Sequence, residues 1–459
     1  MTSTSTMAAQ QANSRKWLVL LAIGTGTFMS ALDGSVVNTI LPVVARDFSV
    51  DVATIEWVVT IYLLVVSGLL LSFGRLGDLR GHKPVYLTGF TIFIGSSALC
   101  GLAQHELALI GARAIQALGA AMLFANSPAI LTKNFPAAER GRALGLQATM
   151  TYLGLTVGPS LGGWLTETPG WRAVFYINVP VGALALFLSW RFIPKDEPNE
   201  QAEKFDRAGA AVFMAGLIAL LLGLNQGSNW GWTSPVIIAL LVGAAGLLIA
   251  FVQIERRAAA PMLDLSLFRN RTFSAATAGA ILNYLCVYTI LFLLPFYLFQ
   301  GRHLTPSQAG VLLTTQPIVM AIVAPISGSL SDRIGARVLG ASGMIVLAAG
   351  LWLLSRLTAT SSTTDVMLGL AAVGLGTGTF ISPNNSALMG AAPRHRQGIA
   401  AGVLASARNV GMVLGVGLAG AIFTTALAAD GDVVHAVTTS FAAAIGVAGV
   451  GALTAAIRG

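Results

Sequence analysis

Gly74-Arg-Leu-Gly-Asp78-Leu-Arg-Gly81-His-Lys83 and Gly328-Ser-Leu-Ser-Asp332-Arg-Ile-Gly335-Ala-Arg337 are one pattern written twice, G-x-L-x-D-x-x-G-x-[KR], 254 residues apart. A second echo runs at an offset of 257: Gly141, Gly145, Gly154, Gly158 and Gly163 recur as Gly398, Gly402, Gly411, Gly415 and Gly420. With 51 glycines in the chain a single coincidence means little, but five at one offset, close to the first, mark a duplicated unit.

The duplicated unit is apolar. The chain has 459 residues, 55% hydrophobic and only 10% charged, with a mean hydropathy of +0.76. Soluble domains carry about 25% charged residues, so a water-soluble globule is excluded. A bilayer core of roughly 30 Å takes about 20 apolar residues per helix. Fourteen stretches of that kind begin near Trp17, Thr54, Pro84, Leu107, Gly141, Trp171, Arg207, Pro235, Phe273, Ser307, Val338, Asp365, Gly398 and Ala436. With the N-terminus inside, cytoplasmic segments hold 21 of the 27 Lys and Arg. Outer loops hold four, Arg46, Arg172, Arg302 and Arg356, and the other two, Arg113 and Arg408, fall within spans. Such a bias supports the count and puts both termini in the cytoplasm. It also accounts for the net charge of +8, since the basic residues are scattered between apolar runs and form no nucleic-acid face.

The expected all-α architecture is a cytoplasmic tail (1–16), a first six-helix bundle (17–193), a linker carrying two extra transmembrane helices (194–272) and a second six-helix bundle (273–459). The run from Trp17 to about Pro42 is too long for a signal peptide core and reads as a retained span. Cys100 and Cys286 both lie in apolar segments and read as packing residues. The five histidines, His82, His105, His303, His395 and His435, fall in expected loops, which argues against haem. The sequence contains no P-loop, zinc spacing or hydrolase elbow, so an enzyme, a cofactor and ATP-driven transport are not expected.

Several motifs resemble the major facilitator superfamily, and within it the fourteen-helix drug:proton antiporter family. Gly74 to Lys83 is similar to the superfamily's signature loop. Leu32-Asp33-Gly-Ser-Val-Val-Asn38-Thr-Ile-Leu-Pro42 resembles the family's helix 1 motif, with Ser35 for Thr and Thr39-Ile40 for Val-Ala. Arg113-Ala-Ile-Gln116-Ala-Leu-Gly119 resembles its helix 4 motif, with Ala117 in place of Gly. Gly145, Gly154, Gly158, Pro159, Gly162 and Gly163 match the antiporter motif of helix 5 at every spacing, and Trp171 to Pro180 looks typical of the start of helix 6. The resemblance covers essentially the whole chain. It implies export driven by a proton gradient, with Asp78, Arg80, Gly81 and Lys83 in a conformational latch, and proton transfer assisted by Arg113.

Residue chemistry supplies its own reading. A carboxylate inside a span, Asp33, costs roughly 2.5–3.5 kcal/mol to insert ionised, so it must face a cavity, find a partner or take up a proton. Glu56, where the family commonly carries Gln, is a second candidate for proton or cation, or an acid complementing a helix dipole. Arg113 and Arg408 are too costly to face lipid. Small residues let helices approach closely, and Gly158-Pro159 weakens the local helix. Asn38, Tyr62, Asn126, Tyr284, Tyr288 and Arg408 are candidates for the cavity wall.

The expected function is proton-coupled export of amphipathic, drug-like compounds, with a cationic ligand suited to aromatic faces, by a monomer in the bacterial inner membrane. A facilitator or importer of a metabolite, or a non-transporting sensor on the same scaffold, stays open at this level.

Overall fold

A computed structural model describes residues 2–136, 139–195, 206–258, 265–393 and 397–457. Its helices are α1 (Thr2–Phe48), α2 (Val52–Arg80), α3 (His82–Leu102), α4 (Glu106–Asn134), α5 (Arg140–Glu167) and α6 (Ala173–Phe192, jogged at Ile177). An added pair follows, α7 (Arg207–Trp230) and α8 (Pro235–Arg257). The second set is α9 (Arg271–Gly301), α10 (in two pieces, Pro306–Leu313 and Thr315–Ile334), α11 (Ala336–Ser355), α12 (Thr363–Ala391), α13 (Gln397–Asp430) and α14 (Val433–Ala456). The protein is a multi-pass membrane protein of two six-helix bundles with two inserted helices. Thirteen of these helices are long and apolar enough to cross a membrane. The fourteenth, α5, has the length but is diluted by Gly, Thr and Gln, as suits a helix that lines a partly polar cavity.

Packing repeats between the bundles. α1 lies on α5 and α6 as α9 lies on α13 and α14, and α4 packs on α3 and α2 as α12 packs on α11 and α10. In α1 83% of the apolar 18-residue stretch is buried and in α8 only 17%, so α1 sits at the centre and α8 at the edge. The inserted pair packs on itself, with α7 against α2 and α13.

The two signature loops share their backbone geometry. Gly81 (φ 90°, ψ 142°) separates α2 from α3, and Gly335 (φ 91°, ψ 143°) separates α10 from α11. A side chain at such positive φ is strained, which is why both copies of the motif carry Gly there. The helix 5 glycines work differently. A Cβ on Gly154 would stand 2.6 Å from the Phe28 carbonyl oxygen, and one on Gly411 would stand 2.5 Å from that of Ile281. Both seams therefore bring backbone against backbone. Pro159 has no N–H for the Leu155 carbonyl four residues back, and the Ser35 hydroxyl of α1 donates to that oxygen at 3.1 Å. The departure from Thr to Ser in the helix 1 motif thus keeps the needed donor.

The bundles touch at the side remote from the termini. Gly163 abuts the Pro306 carbonyl, Gly310 abuts that of Pro159, and the Ser160 and Thr314 hydroxyls share a 2.7 Å hydrogen bond. On the same side the Ser307 N–H donates to Glu167 at 3.1 Å, and Gly420 of α13 lies against the Glu56 carboxylate of α2. A cavity lies between the two bundles.

Candidate functional site

The cavity measures about 380 Å³ and is walled by α1, α2, α4, α5, α9, α10, α12 and α13. Much of the wall is apolar, including Leu63, Phe124, Met320 and Met412. Its polar part holds four tyrosines, Tyr62, Tyr152, Tyr284 and Tyr288, and two arginines, Arg113 and Arg408. No Asp or Glu is part of the wall among the described residues.

Asp33 lies behind that wall, inside the first bundle. It is 1% exposed and has three partners: Arg113 Nη1 donates to Oδ2 at 2.7 Å, while Asn178 Nδ2 and Gln116 Nε2 donate to Oδ1 at 2.6 and 3.1 Å. Arg113 also donates from Nη1 to Gln116 Oε1 at 2.6 Å and from Nε to the Val58 carbonyl at 3.2 Å. Gln116 donates in turn to Ser97 Oγ at 2.7 Å. Three helices, α1, α4 and α6, therefore meet at one carboxylate, and α3 joins them through Ser97 and Gln116. Of the alternatives open to a membrane-buried acid, this one has found a partner, and it does not face the cavity directly. Arg113 faces it instead, with its guanidinium 4.2 Å from the centre of the Tyr62 ring. Removing either member of such a buried pair leaves an uncompensated charge, which costs about 3–5 kcal/mol.

Arg408 of α13 differs. No carboxylate pairs with it among the described residues; its guanidinium carbon stands 5.1 Å from the Tyr284 ring centre, and Tyr152 and Tyr288 are its other ionisable neighbours. Asn38 and Tyr62 line the cavity as expected, and so do Tyr284, Tyr288 and Arg408. Asn126 does not. It lies near the terminal end of α2, where its Oδ1 meets His82 Nδ1 at 2.8 Å and its Nδ2 donates to the Phe73 carbonyl at 3.2 Å. It packs over Gly77, where a Cβ would collide with it. Helix pairing there satisfies its amide and leaves the cavity to its neighbours Phe124 and Pro128. His82, expected in a loop, opens α3 and is buried.

Glu56 is 1% exposed in the seam between α2 and α13. Asn225 of the inserted α7 donates to its Oε2 at 3.1 Å, donates also to the Ala53 carbonyl at 2.9 Å, and accepts from Trp57 Nε1 at 2.8 Å. No ion pair to Glu56 occurs among the described residues, and the facing stretches 218–229 of α7 and 417–427 of α13 carry no charged residue.

In the signature loop, Asp78 is half exposed and faces its own bundle, 3.4 Å from His82 Nε2 and 3.9 Å from Arg75 Nη1. Lys83 donates to the Trp190 carbonyl at 2.8 Å, tying α3 to the end of α6, while Arg80 is exposed and Gly74 touches little beyond Ala125. In the antiporter motif, Gly154, Gly158 and Gly162 fit α5 onto α1, and Pro159 and Gly163 meet α10. Gly145 has open space around it. No group of three or more His, Cys, Asp or Glu suited to a metal occurs among the described residues.

Sequence reading did not assign Gln116, Asn178 and Asn225. The first two stood inside quoted motifs, and Gln116 follows Arg113 at i+3, on the same helix face. Nothing local pointed from Asn225 to a glutamate 169 residues away.

Comparison with known proteins agrees with this architecture. A family model described as Major Facilitator Superfamily matches residues 23–211 and 276–458, the two bundles without most of the inserted pair. The chain is 37% identical to the riboflavin transporter RibZ of Clostridioides difficile over 90% of its length and 89% of that protein's. It is 37% identical to the multidrug resistance protein Stp of Mycobacterium tuberculosis over 91% of this chain and 78% of that one. It is 32% identical to the tetracenomycin C resistance and export protein of Streptomyces glaucescens, over 90% and 76%. Among solved structures, an inward-facing bacterial homologue of the lysosomal transporter Spinster aligns with a TM-score of 0.69 at 15% identity, covering 97% of each chain.

Proposed function

This chain belongs to the major facilitator superfamily, and we propose that it exports amphipathic, drug-like molecules in exchange for protons, by alternating access. The observation that carries this reading is the buried Asp33–Arg113 pair whose cationic member forms part of the cavity wall. With Asp33 ionised, Arg113 is held by it. A proton on Asp33 removes the charge that holds the guanidinium, so the Tyr62 side of the cavity changes with the proton state of a residue the ligand does not touch. Gln116 and Asn178 orient the carboxylate in either state.

On this reading the side of the termini is the cytoplasm of a bacterial cell, and the present arrangement admits ligand from there. The seams α5–α10 and α2–α13 close the outer side, and rocking the bundles apart along them opens it. Glu56 lies in the second seam, where a neutral side chain fits and an unpaired charge does not. Its protonation accompanies closure and its ionisation accompanies opening, with Asn225 steering it from the inserted pair. Asp78, Arg80 and Lys83 latch the inner side in the opposite state. The transporter works as a monomer, with the proton gradient as its energy source.

The test is flux of a panel of amphipathic dyes from proteoliposomes, with and without an imposed pH gradient. Gradient-driven flux at least about tenfold above background is expected, lost in Asp33→Asn and with an altered pH profile in Glu56→Gln. Flux indifferent to the gradient would sink proton coupling. The RibZ relative favours a second reading, facilitated movement of a metabolite; net riboflavin uptake without a gradient would support it over export.

A further inference from the structure

We propose that the central cavity selects amphipathic aromatic anions, with Arg408 as the charge partner. This rests on the cavity being the ligand site of the transporter proposed above. Among the described residues two cationic side chains form part of the wall and no carboxylate does. Arg113 is neutralised by Asp33 at 2.7 Å, leaving Arg408 as the uncompensated charge of the wall. The surrounding helices offer it little relief. α9 and residues 306–331 of α10 contain no Asp or Glu, and α13 has none before Asp430. α12 has one, Asp365, in the capping box at its outer end. Glu56 of α2 lies against Gly420 of α13, twelve residues along that helix from Arg408, and forms no ion pair with it among the described residues.

A buried guanidinium facing a low-dielectric cavity attracts a carboxylate or phenolate more strongly than the same group in water does. A cation entering the site meets the reverse. Cation–π contact does not rescue it, because two of the four tyrosine rings already carry the protein's own arginines: Arg113 over Tyr62 at 4.2 Å and Arg408 over Tyr284 at 5.1 Å.

The remaining polar groups of the wall suit oxygen-rich rings. Ser30 Oγ, Tyr62 Oη and Thr377 Oγ1 are buried hydroxyls with no hydrogen-bond partner among the described residues, and Asn38 Oδ1 is a buried acceptor in the same condition. Buried polar groups are costly unless they are hydrogen-bonded, and carbonyl or phenolic oxygens on a flat ring system supply what these lack. Leu63, Val66, Phe124, Met320 and Met412 contact the apolar faces of such a ring system. The cavity volume falls in the range of small-molecule sites.

Fluorescein and rhodamine 123 share a xanthene core and differ in charge, so they isolate this variable. Their binding to the purified full-length protein in nanodiscs is measured at neutral pH by fluorescence anisotropy, with no gradient present. Fluorescein is expected to bind at least about tenfold more tightly. Arg408→Gln removes that preference, and Arg408→Lys retains part of it, which separates charge from packing. Thermal unfolding of each variant checks that it is folded. Equal or tighter binding of rhodamine 123, an unchanged ratio in Arg408→Gln, or no binding of either dye to folded protein would overturn the proposal. Fluorescein that binds selectively but is not moved by a pH gradient would instead overturn the transport reading and leave the anion site standing.

Discussion

The two bundles share one scaffold and place their charges in opposite ways. The packing of Gly154 on Phe28 and Ala31, and of Gly411 on Ile281 and Tyr284, sets α9 at 253 residues after α1. On that register Asp33 corresponds to Cys286. Gly119 packed on Gly89 and Gly376 packed on Gly343 set α12 at 257 after α4, so Arg113 and Gln116 correspond to Leu370 and Val373. The first bundle holds a buried ion pair where the second holds Cys286, Leu370 and Val373, all at most 1% exposed. Conversely Arg408 corresponds to Thr151, so the second bundle brings a charge to the cavity where the first brings a hydroxyl. Duplicated helices supply the rigid frame, and the chemistry lives in positions where the copies diverge.

The largest effect should come from dismantling the pair. Arg113→Ala is expected to destabilise the protein by about 3–5 kcal/mol, read as a fall in the thermal midpoint of protein in detergent. Leu370→Ala is expected to cost a similar amount, about 2–5 kcal/mol, through its cavity. The origins differ. Adding Asp33→Asn to Arg113→Gln restores most of the stability lost in Arg113→Gln, whereas no second neutralisation helps Leu370→Ala. Failure of that rescue would mean the first bundle is held there by packing, as the second is.

A smaller effect tests the frame itself. Gly154→Ala and Gly411→Ala should each cost about 1–3 kcal/mol, because either Cβ meets backbone that cannot move alone. Gly145→Ala, in open space, should change stability by no more than about 0.5 kcal/mol. Unequal costs for the first two, measured in the same way, would break the claimed equivalence of the α1–α5 and α9–α13 seams.

The smallest concerns the duplicated turn. Gly81→Ala and Gly335→Ala should each lose about 1 kcal/mol through strain at positive φ. A marked difference between them would show that the Asp78 copy of the loop carries a contact its repeat lacks.

Much of this was legible in the sequence. Among the described residues the fourteen expected stretches lie on helices, thirteen of them long and apolar enough to cross a membrane, and the two loops that first show the repeat turn on glycines of matching backbone angles. The sequence places Asn126 on the cavity wall and the structure places it at a helix crossing, because a polar residue within a span looks the same in either setting. Asn225 escaped notice because its partners, Ala53, Glu56 and Trp57, lie in a different helix.

The sequence by itself determined the succession of membrane helices, the duplication and the fact that Asp33 needed a partner, because hydropathy, glycine spacing and the cost of a buried charge are local properties. Only the tertiary structure decided which partner it has. Arg113 and Asn178 lie 80 and 145 residues away along the chain and meet Asp33 through helix packing. That meeting shields the acid from the cavity and leaves arginines on the wall. The charged side chains on the cavity wall are therefore positive, although the residue most conspicuous in the sequence is an acid.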